Sequence, residues 1–167
     1  VTGQVTYRDG TIPVIGEEIY WCPSTAGFKS WRAMSYHPGM EAFFIPINLN
    51  CETAVFGPVD RVAGGGGTGP VRRTNHHHPD SEEQLGEFVA MSMRTGDVLW
   101  RRRFRTPINS AALTTAGGLA IAGGWDRQVY AFDAGSGETL WETRLPTSVQ
   151  GFPITYAVGG KQYLAVP

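Results

Sequence analysis

The stretch AMSMRTGDVLWRRRF, residues 90–104, is written a second time as AFDAGSGETLWETRL, residues 131–145. Ala90 and Ala131 stand 41 positions apart, and the same interval separates Gly96 from Gly137 and Trp100 from Trp141. A fixed period of this length marks a repeat architecture, in which one unit cannot bury its own faces and relies on stacked neighbours. Short apolar runs broken by 22 glycines and 11 prolines argue for many turns rather than long helices. A period near 40 built from four short strands is the signature of a β-propeller blade.

The segment 108–145 supplies one full unit as INSAALTT, GGLAIAGG, RQVYAFDA and ETLWETRL. Further candidate strands are AMSYHP, EAFFIPI, GEFVAMSM, DVLWRRRF, GFPITYAV and KQYLAVP. In the turn DAGSGETLW, Asp133 is placed to accept backbone N–H bonds, and Gly137 to supply a conformation that a β-carbon disfavours. Trp141 then offers a large apolar surface for the gap between neighbouring blades. The earlier copy keeps Thr95, Gly96 and Trp100 but has Ser92 in place of the aspartate, and a hydroxyl does the same work more weakly.

Residues 57–86 break the rhythm. Four consecutive glycines, three histidines and few large apolar side chains read as a long inserted loop. Within it His76, His77 and His78 suggest a metal, but adjacent side chains diverge on a regular backbone and only Asp80 stands beside them, so the expectation is a solvated loop. His37, ahead of Pro38, reads as a turn residue rather than a general base. The basic run Arg101–Arg103 with Arg105 reads as a solvated edge, and a net charge of −1 predicts no nucleic-acid partner. There is no run of about 18 apolar residues of the kind that crosses a membrane as a helix. Cys22 and Cys51 fit either one disulfide or two buried thiols. Nucleotide-binding glycine motifs, a serine elbow and a haem-attachment motif are all missing from this sequence. The first residue is not Met and the last run is strand-like, so the sequence reads as a segment of a longer protein, with upstream blades outside it.

The segment WCPSTAGFKSW followed by SYHPGMEAFFIPINLNC, then the two repeat copies, then GFPITYAVGGKQYLAVP, resembles the quinoprotein methanol and ethanol dehydrogenases, whose cofactor is pyrroloquinoline quinone. In that family an Ala-x-Asp-x-x-x-Gly-x-x-x-Trp repeat ties four-stranded sheets into an eight-bladed propeller. Ala131, Asp133, Gly137 and Trp141 match it fully, and Ala90, Gly96 and Trp100 match with Ser92 substituted. The resemblance implies an all-β fold, a partial arc of about three blades including incomplete ones, with residues 1–167 forming a C-terminal propeller segment. It also implies a Cys22–Cys51 disulfide and hence the periplasm or another oxidising, extracytoplasmic setting.

The reaction so implied is oxidation of a primary alcohol by hydride transfer to the quinone, assisted by Ca²⁺ or a lanthanide, with electrons passing to a cytochrome-type acceptor. A cofactor-contacting asparagine of the family falls at Ser30, between Lys29 and Trp31, and another contact position falls at Asn109. Ser30, Asn109, Lys29 and Trp31 are therefore the cofactor-binding candidates, set against ordinary turn or core roles. The family's metal ligands, proton-accepting aspartate and adjacent cysteine pair belong to parts not matched here, so no catalytic or metal residue is expected in this segment. The isolated segment is expected to be inactive. The rival reading is a non-enzymatic quinoprotein-like propeller that binds protein partners, using the same tryptophan-anchored repeats as a scaffold.

Overall fold

A computed structural model describes residues 3–7, 9–30, 32–60, 63–65 and 69–167, and these form strands without a helix. In chain order they are β1 (Glu18–Trp21), β2 (Ser35–His37), β3 (Ala42–Asn48), β4 (Asn50–Phe56), β5 (Val71–His77), β6 (Gly86–Ser92), β7 (Val98–Phe104), β8 (Leu113–Thr114), β9 (Leu119–Gly123), β10 (Gln128–Asp133), β11 (Thr139–Arg144), β12 (Ile154–Val158) and β13 (Lys161–Ala165). Two antiparallel four-stranded sheets, β2-β3-β6-β7 and β8-β9-β10-β11, are successive blades. The hairpin β12-β13 begins a third, and β1-β4-β5 forms a separate three-stranded sheet.

The repeat survives in backbone detail. Each blade carries a bulge at the equivalent place, between Ala90 and Met91 and between Ala131 and Phe132. Each turn that follows has its glycine at positive φ, 76° at Gly96 and 72° at Gly137. In the second copy the Asp133 carboxylate accepts from the Ser136 backbone N–H at 2.8 Å and its hydroxyl at 3.0 Å. In the first, the Ser92 hydroxyl accepts from Arg94 and Thr95 N–H at 3.3 Å each, the longer geometry of a weaker acceptor.

Alternation along β3 buries Ala42, Phe44, Pro46 and Asn48. Proline in a central strand would normally break the ladder. Here the Asn48 N–H points to Phe28 O at 2.8 Å, so the Pro46 nitrogen, two residues earlier, faces the same side. Pairing with β2 on that side reaches only Phe44, leaving no ladder bond for the proline to lose.

The core between the first two blades contains Phe44, Phe88, Ile108 and Phe132, with small Ala90, Ala120, Ala122 and Ala134 letting the sheets approach. Each phenylalanine so buried stabilises by roughly 2–3 kcal/mol before entropy is counted. Trp100 locks the pair: its ring lies against Phe44, Phe88 and Phe132, and its Nε1 donates to Ala134 O at 2.8 Å. Arg102 adds a bond from Nε to Gly137 O at 2.5 Å.

Trp141, expected to fill the corresponding gap, remains 49% exposed. It lines a cleft of about 340 Å³ with Leu119, Ile121, Leu140, Tyr163 and Leu164, because β12-β13 supplies two strands where the Trp100 partner blade supplies four. Ile121, Val129, Ala131 and Val149 form a smaller core on that side.

The segment 57–86 contains a strand rather than only a loop. After Asn48 the chain turns at buried Leu49, runs out as β4, returns as β5 and re-enters the blade at Gly86. A β-carbon at Gly86 would stand 2.3 Å from Thr106 O, so this re-entry requires glycine. β5 has little apolar content because it is an edge strand held by polar pairs across the sheet: Arg73 to Glu52 at 3.4 Å, His76 to Thr53 at 2.7 Å and Asn75 to Asn50 at 3.4 Å. Of the histidines expected in a solvated loop, two are solvated, but on a strand rather than a loop. His76 and His77 alternate along an exposed strand, and His78 packs its ring 5.4 Å from Phe28.

Candidate cofactor-facing site

Each blade is entered by a segment just before its first strand, and three such segments are stitched side by side. Ala112 N donates to Ala33 O at 2.9 Å and Ala111 N donates to Gly151 O at 3.0 Å. Beyond them the first strands of the two blades meet, with Ser35 Oγ and Thr114 Oγ1 2.6 Å apart. Residues 32–33, 109–112 and 149–151 thus form a rim across successive sheets.

Of the expected contacts, Ser30 and Asn109 both fall on these entry segments. Ser30 is half-buried and its carbonyl accepts from the exposed Lys29 Nζ at 3.2 Å. Trp31 lies outside the described residues. Asn109 is only 2% exposed, and its position is set by backbone bonds: Asn109 N and Ser110 N both donate to Gly123 O, at 3.0 and 3.1 Å. Fully buried Ser110 returns the favour through its Oγ, which accepts from Gly123 N at 2.8 Å.

Two residues not singled out in the sequence complete the cluster. Arg32, 5% exposed, donates from Nε to Asn109 Oδ1 at 2.7 Å and from Nη2 to the same oxygen. Asn48, also 5% exposed, accepts from Nη1 at 3.0 Å and Nη2 at 3.1 Å when its carboxamide oxygen is turned to the guanidinium. Burial pushes the Arg32 pKa down, yet a guanidinium starts so high that it stays charged. The signal for Asn48 was present: a period of two puts it on the buried face of β3 with Phe44 and Pro46, where an amide needs a partner. For Arg32 the signal was fainter, a lone charge between Trp31 and Ala33.

The cluster joins two blade entries around a buried positive charge whose Nε, Nη1 and Nη2 are engaged by Asn109 and Asn48. β7 is an edge strand on which Arg101 and Arg102 are exposed, as expected, and the basic run also packs: Arg101 and Arg103 lie 3.9 and 2.7 Å from the buried carboxylate of Glu87, and Arg102 reaches the next blade. At the far end of the same entry segment, Cys22 and Cys51 are disulfide-bonded and tie the exit of β1 to β4. Both His37 ring nitrogens are buried without a hydrogen-bond partner among the described residues, against the Gly39 turn.

A family model described as the glucose/ethanol/alcohol dehydrogenase β-propeller domain matches residues 68–164. The quinoprotein ethanol dehydrogenase of Pseudomonas aeruginosa is 30% identical over 99% of this chain and 27% of its own length. Methanol dehydrogenase (cytochrome c) subunit 1 of Methylorubrum extorquens is 32% identical over 87% of the chain and 24% of its own length. Among solved structures, a europium-containing methanol dehydrogenase superposes with a TM-score of 0.83 at 26% identity, over 91% of this chain and 27% of that one. The quinohemoprotein alcohol dehydrogenase of Comamonas testosteroni gives 0.73 at 25% identity, over 95% and 24%. The chain therefore spans about a quarter of the length of these relatives.

Proposed function

The chain belongs to the pyrroloquinoline quinone family of alcohol dehydrogenase β-propeller domains, and on that premise we propose that it forms the C-terminal wall of an enzyme that oxidises primary alcohols. The observation that carries this reading is the pairing of Arg32 with Asn109 across adjoining blade entries, with Ser30 two positions before Arg32 in the chain, where side-chain donors would suit the carboxylates and carbonyl oxygens of the quinone. Lys29, Ser30, Trp31 and Asn109 would hold the cofactor. Bound there, it supplies the two-electron oxidant for hydride removal from the alcohol carbon.

In this reading the chain's own residues bind and orient. Asn109 offers a carboxamide fixed by a rigid backbone, Ser30 a single hydroxyl, and Lys29 an exposed positive charge. The blade stack behind them, locked by Trp100, keeps two entry segments in register. The ligands of a Ca²⁺ or lanthanide ion and the base for the alcohol proton lie outside residues 1–167, as do the remaining blades that would cover Trp141. The Cys22–Cys51 disulfide supports an oxidising, extracytoplasmic compartment, the periplasm. A cytochrome is the proposed electron acceptor, in line with the name of the Methylorubrum relative.

The test uses the complete polypeptide that carries this sequence, supplied with the quinone and either Ca²⁺ or a lanthanide ion. Primary alcohol is expected to drive reduction of an artificial dye, while the 167-residue chain alone is expected to give none. A complete polypeptide that takes up no quinone refutes the reading. Turnover by the chain alone refutes the assignment of the missing groups to other blades.

A further inference from the structure

We infer that Arg32 is a positioning residue that holds the Asn109 carboxamide with its oxygen turned away from the ligand, so that Asn109 meets the cofactor only as a hydrogen-bond donor. The inference rests on the quinone reading above and deepens it. An asparagine side chain is nearly symmetric in shape but not in chemistry: turning it over exchanges two donors for an acceptor. A site that must grip carboxylate or carbonyl oxygens needs one orientation and is spoiled by the other.

The geometry around Asn109 removes that freedom. Its Oδ1 receives two N–H groups of Arg32, while its Nδ2 makes no hydrogen bond to any described residue. Turned over, the amide would set N–H against N–H beside a buried positive charge, losing both bonds. The guanidinium is itself fixed, because its planar fork is gripped on another edge by Asn48 from the buried face of β3. The charge also polarises the amide it holds, which strengthens the donors at Nδ2. Arg32 and Asn109 are 77 residues apart and enter different blades, so the donor is aimed only when those blades are docked.

The experiment is titration of quinone-free complete polypeptide with pyrroloquinoline quinone, followed by protein fluorescence, alongside thermal melting of the same quinone-free protein. Asn109→Asp keeps the partner of Arg32 and replaces the donor by an acceptor. It is expected to bind the quinone at least about 10-fold more weakly while melting at the wild-type temperature or higher. Arg32→Gln is expected to weaken uptake about 3- to 10-fold, and Arg32→Lys, which keeps the charge but not the fork, to recover part of that loss. If Arg32 only staples the blades, Arg32→Gln lowers the melting temperature without moving quinone affinity, and Asn109→Asp binds like wild type; either result on affinity overturns the inference. Should Arg32→Gln fail to fold, Asn109→Asp decides alone. Wild-type protein that binds no quinone overturns the function proposed above and this inference with it, whereas wild-type binding with an indifferent Asn109→Asp overturns the donor role of Asn109 and its positioning by Arg32 but leaves the quinone reading standing.

Discussion

Replacing Gly137 by alanine strikes the blade lock at its tightest point. A β-carbon there would stand 2.6 Å from Trp100 Cδ2, 2.7 Å from Cε3 and 3.0 Å from Cγ, on a backbone with φ of 72°. The indole would have to retreat by about 1 Å to regain ordinary carbon contact. Phe44, Phe88 and Phe132 pack around it, and the Nε1 bond to Ala134 O would lengthen or break. Left-handed backbone costs an alanine about 1–2 kcal/mol, overpacking adds about 1–3 and the strained hydrogen bond about 1, so roughly 4 kcal/mol is expected in all. Gly96 is the internal control: its φ is 76° and no atom comes within 4 Å of an added β-carbon. Gly96→Ala should cost only the backbone share, about 1–2 kcal/mol. Urea unfolding of the 167-residue chain reads the contrast. With a slope of about 2 kcal/mol per molar, the two midpoints should differ by at least about 1 M. In a Trp100→Ala background the Gly137→Ala cost should fall to that of Gly96→Ala, a coupling of about 2 kcal/mol. Equal midpoint shifts for the two glycines, or no coupling to Trp100, would refute the lock as described.

Glu87 is 7% exposed in its side chain and faces Arg101 and Arg103, so Glu87→Gln should lower stability by about 2 kcal/mol, read as a fall in melting temperature. Reduction of the Cys22–Cys51 bond releases a loop spanning 29 positions, which by chain entropy costs roughly 3–4 kcal/mol; a reductant should accelerate proteolysis of β1-β4-β5 before that of either full blade, and uniform cleavage would contradict it. Hydrogen bonds from the Ser136 N–H and then its hydroxyl hold the Asp133 carboxyl below its ordinary value. That stabilisation is present above the unfolded carboxylate pKa and is lost as pH falls through the depressed folded value, so acid unfolding of Asp133→Asn should show a shallower slope in that window. Trp141, half exposed, should be quenched by acrylamide where Trp100 is protected, and the signal lost in Trp141→Phe identifies it; equal protection would mean that the cleft is covered.

Most of the two blades was legible because their strands obey short-range rules: alternation in β3, apolar runs in β6, β9 and β10, and glycine corners repeated at 41 residues. β1, β4 and β5 were not, for a common reason. They bury few apolar side chains, Ile19, Cys51 and Ala54, and are held largely by cross-strand polar pairs and a disulfide, so their sequences carry little of the alternation that identifies a strand. The arginine run was legible as a solvated edge, but its partners Glu87 and Gly137 were not, since pairing and the next blade supply them.

The repeat alone determined the architecture, because an Ala–Gly–Trp corner at a fixed period encodes backbone geometry that each unit needs locally. Ser30 and Asn109 were singled out by the resemblance to the quinoprotein dehydrogenases and not by the repeat. Only the tertiary structure decided what surrounds those positions. How far Trp100 and Trp141 are covered depends on how many strands the following sheet contributes, and the side of the Asn109 carboxamide that is engaged is set by Arg32, 77 residues away. A hydrogen bond between two blade entries has no local sequence signature, since it exists only once both sheets are folded and packed.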